Sequence, residues 1–337
     1  MGVFGIVYKM NKKISQNPNN LIGTSGESLR EAFGKSLVEL AGHYTNFVVF
    51  DADVAGGTGT HHMRKSYPER FYQFGIAEQN MMAAAAGFAK TGTIPFVATF
   101  AVFCLRAVEQ IRLSIAYSQS NVKIVASHPG LDVGPDGASA QALEDLAIFR
   151  SIPGMVVISP ADATEVSQAT KSILDYKGPV YMRTGRSPAT KVLDSDYKFE
   201  IGKGKILRQG SDVTLIACGV EVARALDAAE ILSKEGISAK VVNMSTIKPI
   251  DIELLKECAE DTGCFVTAED HNIIGGLGSA VAEALAKFCP CPIEFIGVND
   301  TFGESGEPDE LAEKYFLTPQ YIVEASRSVI KRKINFK

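Results

Sequence analysis

Short runs of apolar and β-branched residues recur along the chain, each followed by a longer stretch with helical spacing. FVVFDA (47–52), PFVAT (95–99), VKIVAS (122–127), MVVISP (155–160) and PVYMRT (179–184) carry no polar alternation. Strands apolar on both faces belong in a parallel sheet covered by helices on both sides. The stretch 187–212 breaks the rhythm with proline, glycine and charge, and reads as an interdomain linker centred on 191–210. The alternation then restarts with VTLIACG (213–219), SAKVVNM (238–244), GCFVTAED (263–270) and CPIEFIG (291–297), a second and smaller sheet. The expected fold class is α/β, with two domains, each a mostly parallel sheet with helices on both faces. Residues 1–20 read as a loose arm, 21–190 as the first domain and 211–337 as the second. Ligands of open α/β sheets sit beyond the carboxyl ends of the strands. The loops at 52–60, 74–78, 127–141 and 184–188 should therefore share one functional rim.

A length of 337 residues accommodates two such domains. The net charge of −5 leaves no footprint for nucleic acid, and the basic tail KRKINFK reads as a solvated helix end. Cysteines at 104, 218, 258, 264, 289 and 291 form no CxxC pair and no disulfide ladder, which fits a reducing cytoplasm. The opening MGVFGIVYKMNKK has its lysines after the apolar run and lacks the order of a signal peptide. No segment reaches about 18 uncharged apolar residues, so no membrane span is expected.

In FYQFGIAEQNMMAAAAGFAKTG (71–92), Glu78 stands in the first turn of a helix that is otherwise apolar all round and hence expected to be buried. The carboxylate either stabilises the positive helix end or is a buried acid of the kind that clusters at active sites. Phe96, Phe100 and Phe103 follow, the last two spaced i, i+3, with Arg106 three further on; one helix face would hold Phe100, Phe103 and Arg106, as core packing or as a wall for a flat heterocycle. The loop and helix at 127–153, which Ser139 is placed to cap, carry His128 and Asp136. Histidines at 43, 61, 62, 128 and 271 show no HxxxH spacing and no cysteine partner, so no protein-only metal site is predicted. HNIIGGLGSAVAEAL (271–285) has a glycine turn able to hold an anion, but not a full GxGxxG. Neither GxxxxGK[ST] nor GxSxG occurs.

FGIAEQNM, PFVATFAVF…RAVEQIR, VGPDGASAQALEDLAIFRSIP, VYMRTGR and VNDTFGESG, in unbroken order over roughly residues 21–325, together resemble the C-terminal half of a transketolase. The resemblance implies a thiamine diphosphate enzyme, with a pyrimidine-binding domain followed by a transketolase C-terminal domain. It implies that Glu78 hydrogen-bonds the ring nitrogen of the aminopyrimidine, favouring the imino tautomer that removes the thiazolium proton. By the same resemblance Phe100 and Phe103 flank the aminopyrimidine with Arg106 close by. His128 and Asp136 would meet sugar hydroxyls, Arg186 and Arg30 the sugar phosphate, and Asp53 the subunit interface.

Two positions depart from the family pattern. Ala140 stands where many members carry His or Gln at the substrate's carbonyl end, leaving Gln141 or a water to substitute, and Gly57 stands where some offer a hydroxyl. A larger difference is the lack of GDG followed about 25–30 residues later by Asn, the family motif for magnesium and diphosphate. The resemblance thus implies a split transketolase. An N-terminal-half partner subunit would bind Mg²⁺ (or Ca²⁺) and the diphosphate, in a heterotetramer of two plus two acting on phosphosugars. Alternatives are a transketolase for a branched or sulfonated sugar, a deoxyxylulose-phosphate synthase fragment, a 2-oxoacid dehydrogenase beta subunit, a non-catalytic scaffold relative, or a nucleotide-binding module built on GGLG.

Overall fold

The computed structural model describes residues 26–335, so the arm expected at 1–20 lies outside the described residues. The strands, numbered in chain order, are β1 (Phe47–Asp51), β2 (Phe71–Gln73), β3 (Ile94–Phe100), β4 (Lys123–Ser127), β5 (Val156–Ile158), β6 (Val180–Thr184), β7 (Lys205–Arg208), β8 (Val213–Ala217), β9 (Ala239–Asn243), β10 (Thr246–Lys248), β11 (Phe265–Asn272) and β12 (Ile293–Val298). The first sheet runs β10-β5-β6-β4-β3-β1-β2, parallel except for β10, which is antiparallel to β5. The second runs β12-β11-β8-β9-β7, parallel except for β7. Both are the mostly parallel α/β sheets expected from the apolar runs, and β1, β4, β6, β8 and β9 are buried along their whole length.

Parallel pairing puts the carboxyl ends of β1, β3, β4 and β6 on one edge of the sheet. The interior tolerates polar groups only where partners meet them. Lys123 is fully buried in β4, and its ammonium donates to the carbonyls of Tyr176 and Gly178 at 2.7 and 2.8 Å and to Asn121 Oδ1. Burial lowers its pKa to about 7.

Three strands lie outside the expected pattern. β2 is a three-residue edge strand, largely exposed, too short to show alternation. β7 falls inside the stretch read as linker; as a half-exposed edge strand it carries Lys205 and Arg208 instead of an apolar run. β10 comes from the second half of the chain yet pairs with the first sheet, so the halves are interlocked. Glu165 bridges the same junction: Asn243 Nδ2, Ser245 Oγ and Tyr197 OH all donate to its Oε1 at 2.6–2.9 Å, and the Ala161 amide donates to its Oε2.

The Glu78–Lys90 helix is not buried all round, as its composition suggested. Gln79, Asn80, Ala83 and Gly87 form an exposed face, and apolar Ile76 (77 % exposed) and Tyr117 (83 %) stand free nearby. No helix among the described residues is long and apolar enough to cross a membrane.

Candidate functional site

The rim beyond β1, β3, β4 and β6 gathers six of the expected residues. Phe100 ends β3 in extended backbone and precedes the short Ala101–Cys104 helix, so it is not on one helix face with Phe103 and Arg106 as the spacing suggested. The two rings nevertheless stack, with centroids 5.2 Å apart and planes 9° from parallel. Phe100 also stacks on His128, with centroids 3.8 Å apart. His128 follows β4 directly, at φ 57°, in the left-handed region that a bulky residue enters only under tertiary constraint. Its ring is clamped by Ser127 Oγ (3.0 Å from Nδ1) and Arg30 Nη1 (3.4 Å from Nε2). Burial, then the charges of Arg30 and Arg186, hold its pKa down to about 3. His128 is therefore a neutral hydrogen-bonding group at physiological pH.

Arg30 also donates from Nη1 to the Gly57 carbonyl, at 3.5 Å. Gly57 is needed here as glycine: a Cβ would sit 2.5 Å from the Phe100 ring and 3.4 Å from His128. Across the rim, Arg186 donates through Nη1 to the Val133 carbonyl at 2.6 Å and faces Asp136 at 3.8 Å. The backbone amides of Arg186 and Ser187 donate to Asp132, whose own amide donates to Asp270 of the second half. The 127–141 loop is thus held from both halves of the chain.

Glu78 begins its helix, 3 % exposed. Its Oε2 is enclosed and accepts no hydrogen bond from any described residue. Its charge reaches the buried Cys104, whose thiol is pushed up by burial, then Asp145, then Glu78. Native interiors rarely leave a carboxylate oxygen without a donor, and the open valence suits an external nitrogen.

Arg106 and Asp53 are not drawn into these contacts. Arg106 is exposed on the Leu105–Ala107 turn, and Asp53 is exposed at φ 64° with only its amide bonded, to Gln73 Oε1 at 2.8 Å. The loop after β1 is organised instead by Asp51, fully buried, which accepts from the Val54 amide and from the hydroxyls of Thr58 and Thr60 at 2.8–2.9 Å.

Other expectations needed correction. Ser139 lies in a turn, and the following helix starts at Asp145 behind Glu144. Gln141 is buried with its amide nitrogen donating to the Glu304 carbonyl at 2.9 Å and to Gly134, while its Oε1 has no partner among the described residues. The GGLG turn offers no anion site, because the Leu277 and Gly278 amides already donate to Glu269 at 2.7 and 2.8 Å. Sequence reasoning also missed the buried triad in which Tyr181 OH and Arg183 both donate to Asp145, with Arg183 Nη1 reaching the Asp270 carbonyl at 3.0 Å. Three buried polar residues on one strand and a facing helix were the available signal.

Two family models match the chain: "Transketolase, pyrimidine binding domain" over residues 26–191 and "Transketolase, C-terminal domain" over 202–322. The chain belongs to the transketolase family. A putative transketolase C-terminal section of Methanocaldococcus jannaschii is 48% identical over 310 residues, 91% of this chain and 97% of that protein. A 6-deoxy-6-sulfo-D-fructose transketolase subunit of Clostridium sp. (strain MSTE9) is 43% identical over 310 residues, covering 92% and 96%. Among solved structures, one described as a split gene transketolase, inactive beta4 tetramer, aligns with TM-score 0.86 and 50% identity, over 91% of this chain and all of that one. Membership in the transketolase family implies dependence on thiamine diphosphate. An enclosed Glu78 Oε2 without a partner among the described residues, and a stacked pair of phenylalanines, are the kinds of group that suit its aminopyrimidine.

Proposed function

We propose that this chain is the pyrimidine-side subunit of a split transketolase, moving a two-carbon ketol unit between sugar phosphates. The observation that carries the reading is Glu78, an enclosed carboxylate with an oxygen that no group among the described residues serves. When bound, thiamine diphosphate supplies the carbanion chemistry. The task of Glu78 is to hold a proton at the pyrimidine ring nitrogen, in surroundings that exclude water. Phe100 and Phe103 offer the flat wall for that ring, with Arg106 near its edge. His128, neutral and rigidly oriented, and Asp136 meet sugar hydroxyls; Arg186 and Arg30, with planar forks of donors, meet the phosphate. Asp53 serves the subunit interface.

Completion by a second chain is the remaining part of the proposal. The small-residue face of the Glu78–Lys90 helix and exposed Ile76 and Tyr117 give the partner a place to dock beside the carboxylate. That partner would carry the GDG…Asn motif with the divalent metal and diphosphate, in a two-plus-two assembly. Ala140, where many family members carry His or Gln, favours an unusual donor sugar, in keeping with the sulfosugar subunit among the relatives. The test combines this chain, an N-terminal-half partner, thiamine diphosphate and Mg²⁺, and follows ketol transfer from a panel of ketose phosphates. Transfer that disappears with Glu78→Gln is the expected result. Unchanged turnover in that variant, or decarboxylation of pyruvate in place of ketol transfer, would overturn the proposal.

A further inference from the structure

We propose that Glu31, His61 and His62 form a zinc-class metal site of this chain, separate from any metal that accompanies thiamine diphosphate. Spacing along the sequence gave no hint of one, because the third ligand comes from a different element. Glu31 lies on the Leu29–Ala41 helix, while His61 and His62 open the His61–Ser66 helix. One ligand atom from each of the three lies within 4.8 Å of the other two. His62 Nε2 is already 2.8 Å from Glu31 Oε2, and the two imidazoles lie against each other with centroids 4.0 Å apart. Tetrahedral ligands about 2.0–2.2 Å from zinc stand roughly 3.3 Å from one another, so small side-chain rotations close the set.

Two further features favour a metal over a mere ion pair. His61 Nδ1 lies 3.3 Å from the Ala55 carbonyl, and a proton on that nitrogen leaves the Nε2 lone pair free to bind a metal. A backbone carbonyl that holds the far nitrogen of an imidazole is the usual orienting partner of a metal-bound histidine. The backbones are also locked together. A Cβ at Gly34 would fall 2.1 Å from the Gly59 carbonyl oxygen and 2.9 Å from His62 Cδ2, so only glycine lets the helix lie this close to the turn. Glu31, one helical turn before Gly34, is thereby held over the histidines. Two imidazoles and one carboxylate suit Zn²⁺, with water in the remaining position. His62 and Glu31 side chains are 29% and 32% exposed, which leaves the site reachable from solvent.

The site adjoins the catalytic rim. Arg30, next to Glu31, holds the Gly57 carbonyl and His128. An ion clamping the helix to the 55–62 turn would stiffen that corner and change KM for a phosphorylated substrate. This consequence rests on the function proposed above; metal binding does not.

The experiment strips the full chain of metal with a chelator and titrates Zn²⁺ against a chromophoric competitor, with metal content measured after dialysis. One Zn²⁺ per chain is expected. His61→Gln and His62→Gln should each weaken binding at least ~10-fold, with circular dichroism unchanged. Cys289→Ser/Cys291→Ser should bind as the parent does, and Co²⁺ in place of Zn²⁺ should show no thiolate charge-transfer band. No bound Zn²⁺, equal affinity in both histidine variants, or loss confined to the cysteine variant would each overturn the site. Repeating the titration on the complex with its partner keeps this outcome distinct from failure of the transketolase reading, which is read by ketol transfer alone.

Discussion

Replacing Glu78 by methionine should make the chain more stable and catalytically dead together. Glu78 is 3% exposed, and its Oε2 has no donor among the described residues. A buried polar atom without a partner costs about 1–3 kcal/mol. Opposing this, a carboxylate in the first turn of the Glu78–Lys90 helix gains about 0.3–1 kcal/mol from the helix end. The first effect is larger, so removing the carboxylate stabilises the fold by on the order of 1 kcal/mol. Methionine preserves an unbranched side chain and good helix propensity without a polar atom. In a cooperative unit of about 150–250 residues, 1 kcal/mol moves Tm by roughly 2–4 °C. Scanning calorimetry of the cofactor-free full chain at neutral pH reads this as a rise. Ketol transfer by the assembled enzyme should fall by at least ~100-fold, the lower end of what a positioned proton-transfer group contributes. A lowered Tm would refute the reasoning, since the helix-end interaction would then outweigh desolvation. Retained turnover would refute the placement of Glu78 at the cofactor ring.

Asp145→Asn leaves Arg183 buried without its counter-charge; a loss of about 3–5 kcal/mol is expected, visible as a Tm drop on the order of 10 °C. His128 is held to about 3 in the fold against about 6.5 unfolded. Between these values the unfolded chain binds a proton that the folded chain refuses, so stability falls as pH drops through this window and is fully recovered above it. His128→Gln should flatten that decline, measured as the difference in urea midpoint between pH 7 and pH 4.5; an equally steep decline would count against it. Gly34→Ala drives a Cβ into the Gly59 carbonyl, where backbone cannot yield cheaply, and overpacking of this kind costs about 1–3 kcal/mol. Thermal unfolding should show the loss, together with a raised KM for the phosphorylated sugar as Arg30 shifts.

The long buried strands were legible because a parallel sheet with helices on both faces buries every position, and β1, β4, β6, β8 and β9, buried throughout, are mostly apolar, with polar residues such as Lys123 only where partners meet them. The edge strands β2 and β7 are largely or half exposed, and β10, though buried at Thr246 and Ile247, is only three residues long, so these left little trace. Within the site, Glu78 stood out as a lone acid in an apolar helix. Phe100 was misplaced onto a helix because i, i+3 spacing cannot tell a strand end from a helix start, whereas its stacking on Phe103 survives the change of element. Asp51 was passed over for Asp53 since its part in the loop depends on Thr58 and Thr60 folding back onto it.

By itself, then, the sequence determined the class of the fold, where its buried strands fall along the chain and the buried acid on which the proposed function rests. Each of these depends on the kind of residue at a position and on its near neighbours. Tertiary structure decided the contacts: Arg30 against His128 across 98 residues, Gln141 turned toward Glu304, Glu269 filling the helix end that had looked free for an anion, and Glu31 over His61 and His62. The physical reason is that a polar side chain takes whichever partner the packing brings within about 3 Å. Which partner that is depends on strand order and crossover, which local pattern does not encode.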